Sequence, residues 1–179
     1  MAKLKRSNEH KAFSDVKLLF AERCEALKGF CVQNHPCFLG DTAKDVEKRL
    51  NDHLQEAEYD ASLTLLAAIE AAFRLDYDYR QTKRLKDPRS KEIRRISQLH
   101  KTERSHFRHD IAINKLFEVL AMDDSISTRV IKFMTICFDY RNWLAHGRYW
   151  RLSLGRDKPA FAEIYQIAQT IEKTLYRYR

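Results

Sequence analysis

The amino-acid sequence predicts an all-α protein, an antiparallel helical bundle of about five to six helices. The chain has 179 residues but only four glycines and three prolines, far below their usual combined share of roughly 12%. Because strands need turn residues every few positions, this scarcity favours long helices joined by few loops. The hydrophobic content of 44% suits a buried core, and a chain of this length is most simply one domain.

The first two helices are expected on either side of a break at 36–40. Ser14 is a candidate N-cap for the first helix. Thr42, with Asp45 three residues further on, resembles a capping box. It therefore predicts the start of a long second helix that extends to about Arg80.

Four more helices are expected in the second half of the chain. Asp87 and Pro88 suit the N-cap and the first position of a basic third helix. The remaining three are expected over 111–122, from a Ser125 cap to about His146, and from Asp157-Lys158-Pro159 to about Tyr176.

The single domain, 1–179, is expected to have two parts. An N-terminal helix and a cysteine-containing loop occupy 1–41, and a helical core occupies 42–179. The core carries a segment at 80–109, here called the basic insert, with eleven Lys/Arg against three Asp/Glu, so that the whole formal net charge of +8 lies there. Such a segment suits either a polyanionic partner such as RNA or a solvent-exposed helix and loop. Its candidate RNA-binding residues are Lys83, Arg84, Arg94 and Arg95.

No segment predicts a membrane span or a secretion signal. The longest run without a charged residue has 12 residues, at 29–40, whereas a helix needs ~20 to cross a bilayer. The basic start of the chain is not followed by an apolar stretch, as a signal peptide would require. The expected location is the cytoplasm, with the four cysteines mostly as thiols.

The fifth predicted helix is apolar nearly all round, so we expect it to be buried in the domain or at a subunit interface. At its end lie Arg141, Asn142, His146, Arg148 and Tyr149. If the helix continued, Asn142, His146 and Tyr149 would share one stripe, with Arg141 and Arg148 on the neighbouring one. Polar groups are costly to bury without partners, so this cluster either satisfies itself or faces a ligand.

The residue types in this cluster suit metal-free cleavage of RNA, in which the ribose 2′-hydroxyl attacks the adjacent phosphate. Arginine offers planar charged donors for a phosphate, and such donors contribute ~10²–10³-fold each. Histidine titrates near neutrality, and proton transfer contributes ~10²–10⁴-fold. The reaction moves two protons and so needs both a base and an acid, but each chain has only one such His in the cluster. A second copy of the cluster from a partner subunit would supply the missing group.

Spacing alone does not identify this motif. Arg-x4-His pairs occur at Arg95/His100, Arg104/His109 and Arg141/His146. The third pair differs because Asn follows its arginine and because it ends an apolar helix.

Arg141-Asn142-Trp143-Leu144-Ala145-His146 resembles the Arg-polar-x3-His signature of the HEPN superfamily, small helical domains common in prokaryotic defence and toxin systems. The resemblance covers the motif closely and the helical outline of 42–179 loosely. It implies a metal-independent endoribonuclease that works as a homodimer, with no cofactor and with two motifs facing a shared cleft. Arg141 would then hold the scissile phosphate, His146 would transfer protons and Asn142 would support them.

The resemblance also implies a partner protein, an antitoxin or a regulator. Toxins of the nucleotidyltransferase-paired branch usually place Tyr two residues after the His. This chain has Arg148 there and Tyr149 next, which departs from the pattern of that branch and bears on the role of Tyr149 and on pairing with such an antitoxin. Tyr149 is kept as a supporting candidate and Arg148 as an RNA-binding candidate. Because some relatives are inactive, the alternative function is a non-catalytic module that binds nucleic acid or protein.

Three further clusters each have two interpretations. Glu70 lies in an apolar stretch and either pairs with Arg74 four residues on or holds Arg141 or His146. The spacing of Cys24, Cys31, His35 and Cys37 fits no standard zinc site, so buried free thiols are favoured over a small metal-binding regulator. The run at 76–79 is interpreted as a solvated helix end rather than a functional site.

Overall fold

The computed structural model describes residues 9–102, 112–122, 126–155 and 157–176. It confirms the all-α helical bundle, since the described residues form six α-helices, one short 3₁₀ turn at Pro36–Phe38 and no strand. The helices are α1 (Phe13–Phe30), α2 (Ala43–Lys83), α3 (Pro88–Thr102), α4 (Ile113–Leu120), α5 (Thr128–Ala145) and α6 (Phe161–Tyr176).

The long helix α2 organises the bundle, because all five other helices pack against it. Its middle third supplies fully buried side chains at Leu65, Leu66 and Ile69. These belong to the main core together with buried residues of α5 and α6, among them Met134 and Ile171. The position of each site residue is therefore set relative to α2.

The predicted N-caps of α2 and α3 are confirmed. Thr42 Oγ1 accepts a hydrogen bond from the Asp45 backbone N–H (3.3 Å), and the Asp45 carboxylate accepts one from the Thr42 N–H (3.1 Å). Asp87 accepts a hydrogen bond from the Ser90 N–H (3.0 Å), with Pro88 at the first helical position. Both caps satisfy backbone donors that have no partner within the helix.

Two predicted caps are wrong. The first helix begins at Phe13 behind Ala12, so Ser14 lies inside it, because the buried Phe13 ring draws the first turn onto the core. The fifth helix begins at Thr128 and is capped by Ser127, whereas Ser125 lies outside the described residues.

The ends of α4 and α6 also differ from the prediction. The fourth helix spans 113–120 rather than 111–122. The sixth begins at Phe161, two residues beyond Pro159. Its first N–H groups are satisfied by carboxylates, since Ala160 N–H donates to Glu163 (3.0 Å) and Phe161 N–H donates to Glu58 of α2 (2.9 Å).

Only one side of α5 is deeply buried. Met134, Cys137 and Phe138 lie in the core, while Phe133 and Ile136 are half-buried. The half-buried side chains line a groove between α5 and α6 with a volume of about 370 Å³. The expectation of a buried helix therefore holds for its inner face, and its outer apolar face remains partly open.

None of the helices in the described ranges is long and apolar enough to cross a membrane.

Candidate functional site

The motif helix ends where the sequence predicts, at about His146. Helix α5 stops at Ala145, His146 is its C-cap, and Gly147 takes a left-handed φ of 75°. The Gly147 N–H donates to the Leu144 carbonyl (3.2 Å) and the Arg148 N–H to the Trp143 carbonyl (3.0 Å). These two bonds form a Schellman motif, which favours glycine because glycine has no Cβ. The condition for the stripes, continued helix beyond His146, is therefore not met, and Arg148 and Tyr149 lie outside the helix.

Glu70 of α2 holds two arginines at once. Its Oε2 lies 3.1 Å from Arg141 Nη2, and its Oε1 accepts hydrogen bonds from Arg74 Nε (3.1 Å) and Nη2 (2.7 Å). Arg141 Nη1 also donates to the Asn142 side-chain oxygen (3.2 Å). Both contacts considered for Glu70 thus occur together. We call Glu70, Arg74, Arg141 and Asn142 the Glu70 cluster.

Two guanidinium groups share one carboxylate in the Glu70 cluster, since both Arg74 and Arg141 contact Glu70. The side chains of Arg74 and Arg141 are 34% and 31% exposed, and that of Glu70 is 21% exposed. Arg141 Nε is buried and has no hydrogen-bond partner among the described residues. An anion that approached this cluster would meet partly desolvated donors, whose hydrogen bonds to a charged group are among the stronger ones.

His146 is exposed at the end of α5. Its backbone N–H donates to the Asn142 carbonyl (3.1 Å), and its ring centroid lies 5.9 Å from that of Trp150. Arg141 and His146 are five residues apart, which corresponds to about 140° around a helix. The two side chains of one chain therefore do not converge, and in the described structure Asn142 connects them, through its side chain to Arg141 and through its backbone to His146.

The residues after His146 are held in a defined turn. The buried Trp143 indole N–H donates to the Trp150 carbonyl (2.8 Å). The Tyr149 ring meets the Trp150 ring edge-on at 4.7 Å, yet Tyr149 is 83% exposed. We call His146, Tyr149 and Trp150 the aromatic turn. Tyr149 lies in it beside His146 and outside the Glu70 cluster.

Arg148 is engaged with α2. Its φ of 60° lies in the left-handed region, which costs a side chain about 1–2 kcal/mol. Its guanidinium lies 2.7 Å from a Glu56 carboxylate oxygen and 5.1 Å from the Tyr59 ring centroid. The hydrogen bond to Glu56 raises the pKa of Arg148 above its ordinary value. These contacts hold the strained turn against α2, so the charge of this predicted RNA-binding residue is already paired.

Part of the basic insert is buried rather than offered to a partner. Arg80 is fully buried, and its Nε lies 2.6 Å from an Asp76 carboxylate oxygen. Its Nη1 lies 3.0 Å from an Asp87 carboxylate oxygen and 3.0 Å from Ser90 Oγ. Arg89 is 5% exposed and lies 3.2 Å from Asp76. We call these five residues the buried ion network. The interpretation of 76–79 as a solvated helix end is wrong for Asp76, which is only 3% exposed because two arginines neutralise it.

Asp87 joins the network to the cap of α3. Burial by itself raises the pKa of Asp87, but hydrogen bonds from Ser90 and the charge of Arg80 outweigh burial and lower it below the ordinary value. The carboxylate is thus kept ionised where it both caps α3 and pairs with Arg80.

The four candidate RNA-binding residues of the basic insert lie in different surroundings. Lys83 and Arg84 are exposed at the end of α2. Arg94 is half-buried and donates to the Leu85 carbonyl (2.8 Å), and the exposed Arg95 pairs with Glu92 (2.8 Å). Residues 103–109 lie outside the described ranges. The described insert therefore offers fewer unpaired cations than its charge indicates.

Of the cysteine cluster, only Cys31 is buried in a small separate core, whereas Cys24 is half-buried and Cys37 is exposed, so the interpretation as buried thiols is wrong for Cys37. Cys31 is buried with Phe38 and Val46 at the turn between α1 and α2. His35 Nδ1 accepts the Cys37 N–H (3.2 Å) and caps the 3₁₀ turn. All four cysteines are free thiols. Within the described ranges, no three His, Cys, Asp or Glu side chains are grouped to hold a metal.

Sequence reasoning missed several residues around the motif. Two of them lie on α2, where Glu56 and Tyr59 contact the Arg148 guanidinium. The third is Lys158, whose amino group lies 4.6 Å from the Trp143 ring centroid. The contacts of Arg148 with Glu56 and Tyr59 join positions about 90 residues apart, and the contact of Lys158 with Trp143 crosses the turn between α5 and α6. No spacing rule reports either kind of contact.

The chain matches no protein-family model, no curated protein and no solved structure to which it was compared.

Proposed function

We propose that the protein is a metal-independent endoribonuclease that acts as a homodimer, in the manner of the HEPN domains that its motif resembles. The observation that carries this proposal is the Glu70 cluster. It holds Arg141 with a buried Nε that has no hydrogen-bond partner among the described residues, five residues before an exposed His146 whose backbone N–H donates to the Asn142 carbonyl. A clamped arginine is a preorganised donor for a phosphate, and an exposed histidine is free to exchange protons.

In the proposed reaction, a base removes the proton of the ribose 2′-hydroxyl, and the oxygen attacks the adjacent phosphorus. An acid protonates the departing 5′-oxygen, which leaves a 2′,3′-cyclic phosphate and a 5′-hydroxyl. Arg141 binds the non-bridging phosphate oxygens, on which negative charge develops, and His146 transfers protons. Glu70 and Asn142 position Arg141, and Arg74 adds the second cation of the cluster.

The angle between Arg141 and His146 supports a site shared between two copies. Because about 140° separates the two positions on one helix, a His146 from a partner subunit could complete the acid–base pair. The groove between α5 and α6 supports such pairing. Its half-buried apolar side chains include Phe133 and Ile136. Charged residues of both signs also line it: Arg129, Lys132 and Glu163. An isologous interface needs such a self-complementary surface.

Within the same proposal, the enzyme is a cytoplasmic toxin or defence effector regulated by an antitoxin or another partner protein. These roles rest on the motif resemblance and on the cysteine thiols. Lys83 and Arg84 remain the candidates for gripping the RNA backbone outside the cleft, because both are exposed.

One observation favours the alternative, a non-catalytic module that binds nucleic acid or protein. Arg141 is already paired with Glu70 and Asn142, as expected if the cluster only joins α5 to α2. The buried Arg141 Nε, which has no hydrogen-bond partner among the described residues, and the exposure of His146 favour the enzyme.

We expect the purified protein to cleave RNA in excess EDTA at the same rate, within about twofold, as with added Mg²⁺, because proton transfer and arginine donors need no metal. The measurement is the loss of a labelled mixed-sequence RNA on a denaturing gel. The Arg141→Ala/His146→Ala double variant, purified in parallel, controls for contaminating nucleases. Equal cleavage by both proteins, or none by either, would contradict the proposal.

Glu70→Gln should lower cleavage about tenfold while the protein stays folded. The amide keeps the size of the side chain and one acceptor but loses the charge that holds both arginines, so Arg141 is positioned less well. Glu92→Gln is the matched control, because Glu92 pairs with Arg95 on another helix. The expected signature is a lower kcat with little change in KM. Full activity in Glu70→Gln would show that Glu70 does not position Arg141.

A further inference from the structure

The aromatic turn presents a tyrosine whose position is not explained by packing. Tyr149 is 83% exposed, so its ring contributes little buried apolar surface. Its one described ring contact is the perpendicular contact with Trp150, and its exposure leaves most of the tyrosine ring open to solvent. Tyrosine is enriched at binding surfaces because its ring is apolar and its hydroxyl is polar.

The turn that carries Tyr149 is nevertheless closely defined. On its N-terminal side, the Schellman motif fixes Gly147 and Arg148. On its C-terminal side, the Trp143 indole fixes the Trp150 carbonyl. The left-handed conformation of Arg148 is strained and is held by Glu56 and Tyr59. Strain that the surroundings maintain around an exposed side chain is characteristic of functional sites.

The aromatic turn adjoins the proposed proton-transfer group. The Trp150 ring lies 5.9 Å from the His146 ring and 4.7 Å from the Tyr149 ring, so both rings contact the same tryptophan. Two cationic side chains lie near the turn, since Arg151 is exposed next to Trp150 in the chain and Lys158 lies near the Trp143 ring. A planar group stacked on Tyr149 would therefore lie near both His146 and positive charge.

We propose that Tyr149 stacks an unpaired nucleobase of single-stranded RNA and so selects single-stranded over double-stranded substrates. This inference rests on the proposed ribonuclease function and gives the substrate class of the same site. Stacking on an aromatic ring tolerates every base because each base has a π-face. In a duplex the bases are already stacked on each other, and A-form grooves hide their faces. A base on Tyr149 places the sugar-phosphate chain beside His146.

The test measures binding without cleavage. A short single-stranded 2′-O-methyl RNA of mixed sequence, which lacks the attacking hydroxyl, is titrated into the full-length protein. Binding is followed by the fluorescence of the two tryptophans, which the described structure places in and beneath the aromatic turn. The same strand annealed to its complement is titrated in parallel.

Tyr149→Ala should weaken single-strand binding about 5- to 100-fold, while Tyr149→Phe, which keeps the ring, binds like the wild type. Duplex binding should stay unchanged in both variants. Equal single-strand affinity in wild type and Tyr149→Ala would overturn the proposal, as would equal losses in Ala and Phe or no binding by the wild type. Because the probe cannot be cleaved, these results are independent of whether the protein cleaves RNA in EDTA.

Discussion

A variant with alanine in place of His146 is expected to cleave RNA about 10²–10⁴-fold more slowly than the wild type. The imidazole of His146 is the proposed proton-transfer group, and alanine removes it. Folding should be unaffected, because the side chain is exposed and the C-cap hydrogen bond to Asn142 is made by the backbone. The measurement is the initial rate of cleavage in EDTA, with helicity checked by circular dichroism.

His53→Ala is the matched control for this variant. His53 is an exposed histidine on α2, and in the described structure no hydrogen bond, ion pair or ring contact joins it to the Glu70 cluster or the aromatic turn. Its cleavage rate should equal that of the wild type. If His146→Ala were as active as His53→Ala, the histidine would have no catalytic part, and the cluster would be a structural joint between α5 and α2.

The second large effect is expected on stability. Arg80→Ala should lower the free energy of unfolding by about 3–5 kcal/mol, because removing one partner of a buried ion pair leaves the others uncompensated. Arg80 is fully buried and contacts Asp76, Asp87 and Ser90. The alanine variant would therefore leave two carboxylates with fewer partners inside the joint between α2 and α3. Urea unfolding followed by circular dichroism measures the difference.

Arg95→Ala controls for the loss of a cation from the same insert. Arg95 is exposed and pairs only with Glu92 in the described structure, and such surface pairs contribute about 0–1 kcal/mol. A loss in Arg80→Ala no larger than that in Arg95→Ala would show that the buried ion network adds little to stability.

The helices and two of their caps could be predicted because their signals are local. Thr42 with Asp45, and Asp87 with Pro88, place the cap and its partner within three residues. The end of α5 also had a local signal in Gly147, which favours a left-handed C-cap. The predicted end at about His146 agrees with the observed C-cap, whereas the stripe that required further helix, through Tyr149, does not form.

The burial of the charged residues could not be predicted from composition. The eleven cations of the basic insert indicate an exposed surface, yet Arg80 and Arg89 turn inward because Asp76 and Asp87 meet them there. Likewise, the apolar stretch around Glu70 indicated a constrained carboxylate, but only the packing of α2 against α5 determines that it reaches Arg141. Contacts between helices depend on the tertiary fold, which no spacing rule encodes.

The chemistry of the cleaved ends tests the central claim most directly. The wild type is incubated in EDTA with one defined single-stranded RNA, and the fragments are analysed by mass spectrometry. Attack by the 2′-hydroxyl predicts 2′,3′-cyclic phosphate and 5′-hydroxyl ends that are absent from the Arg141→Ala/His146→Ala reaction. Fragments with 5′-phosphate and 3′-hydroxyl ends, or no cleavage specific to the wild type, would contradict it.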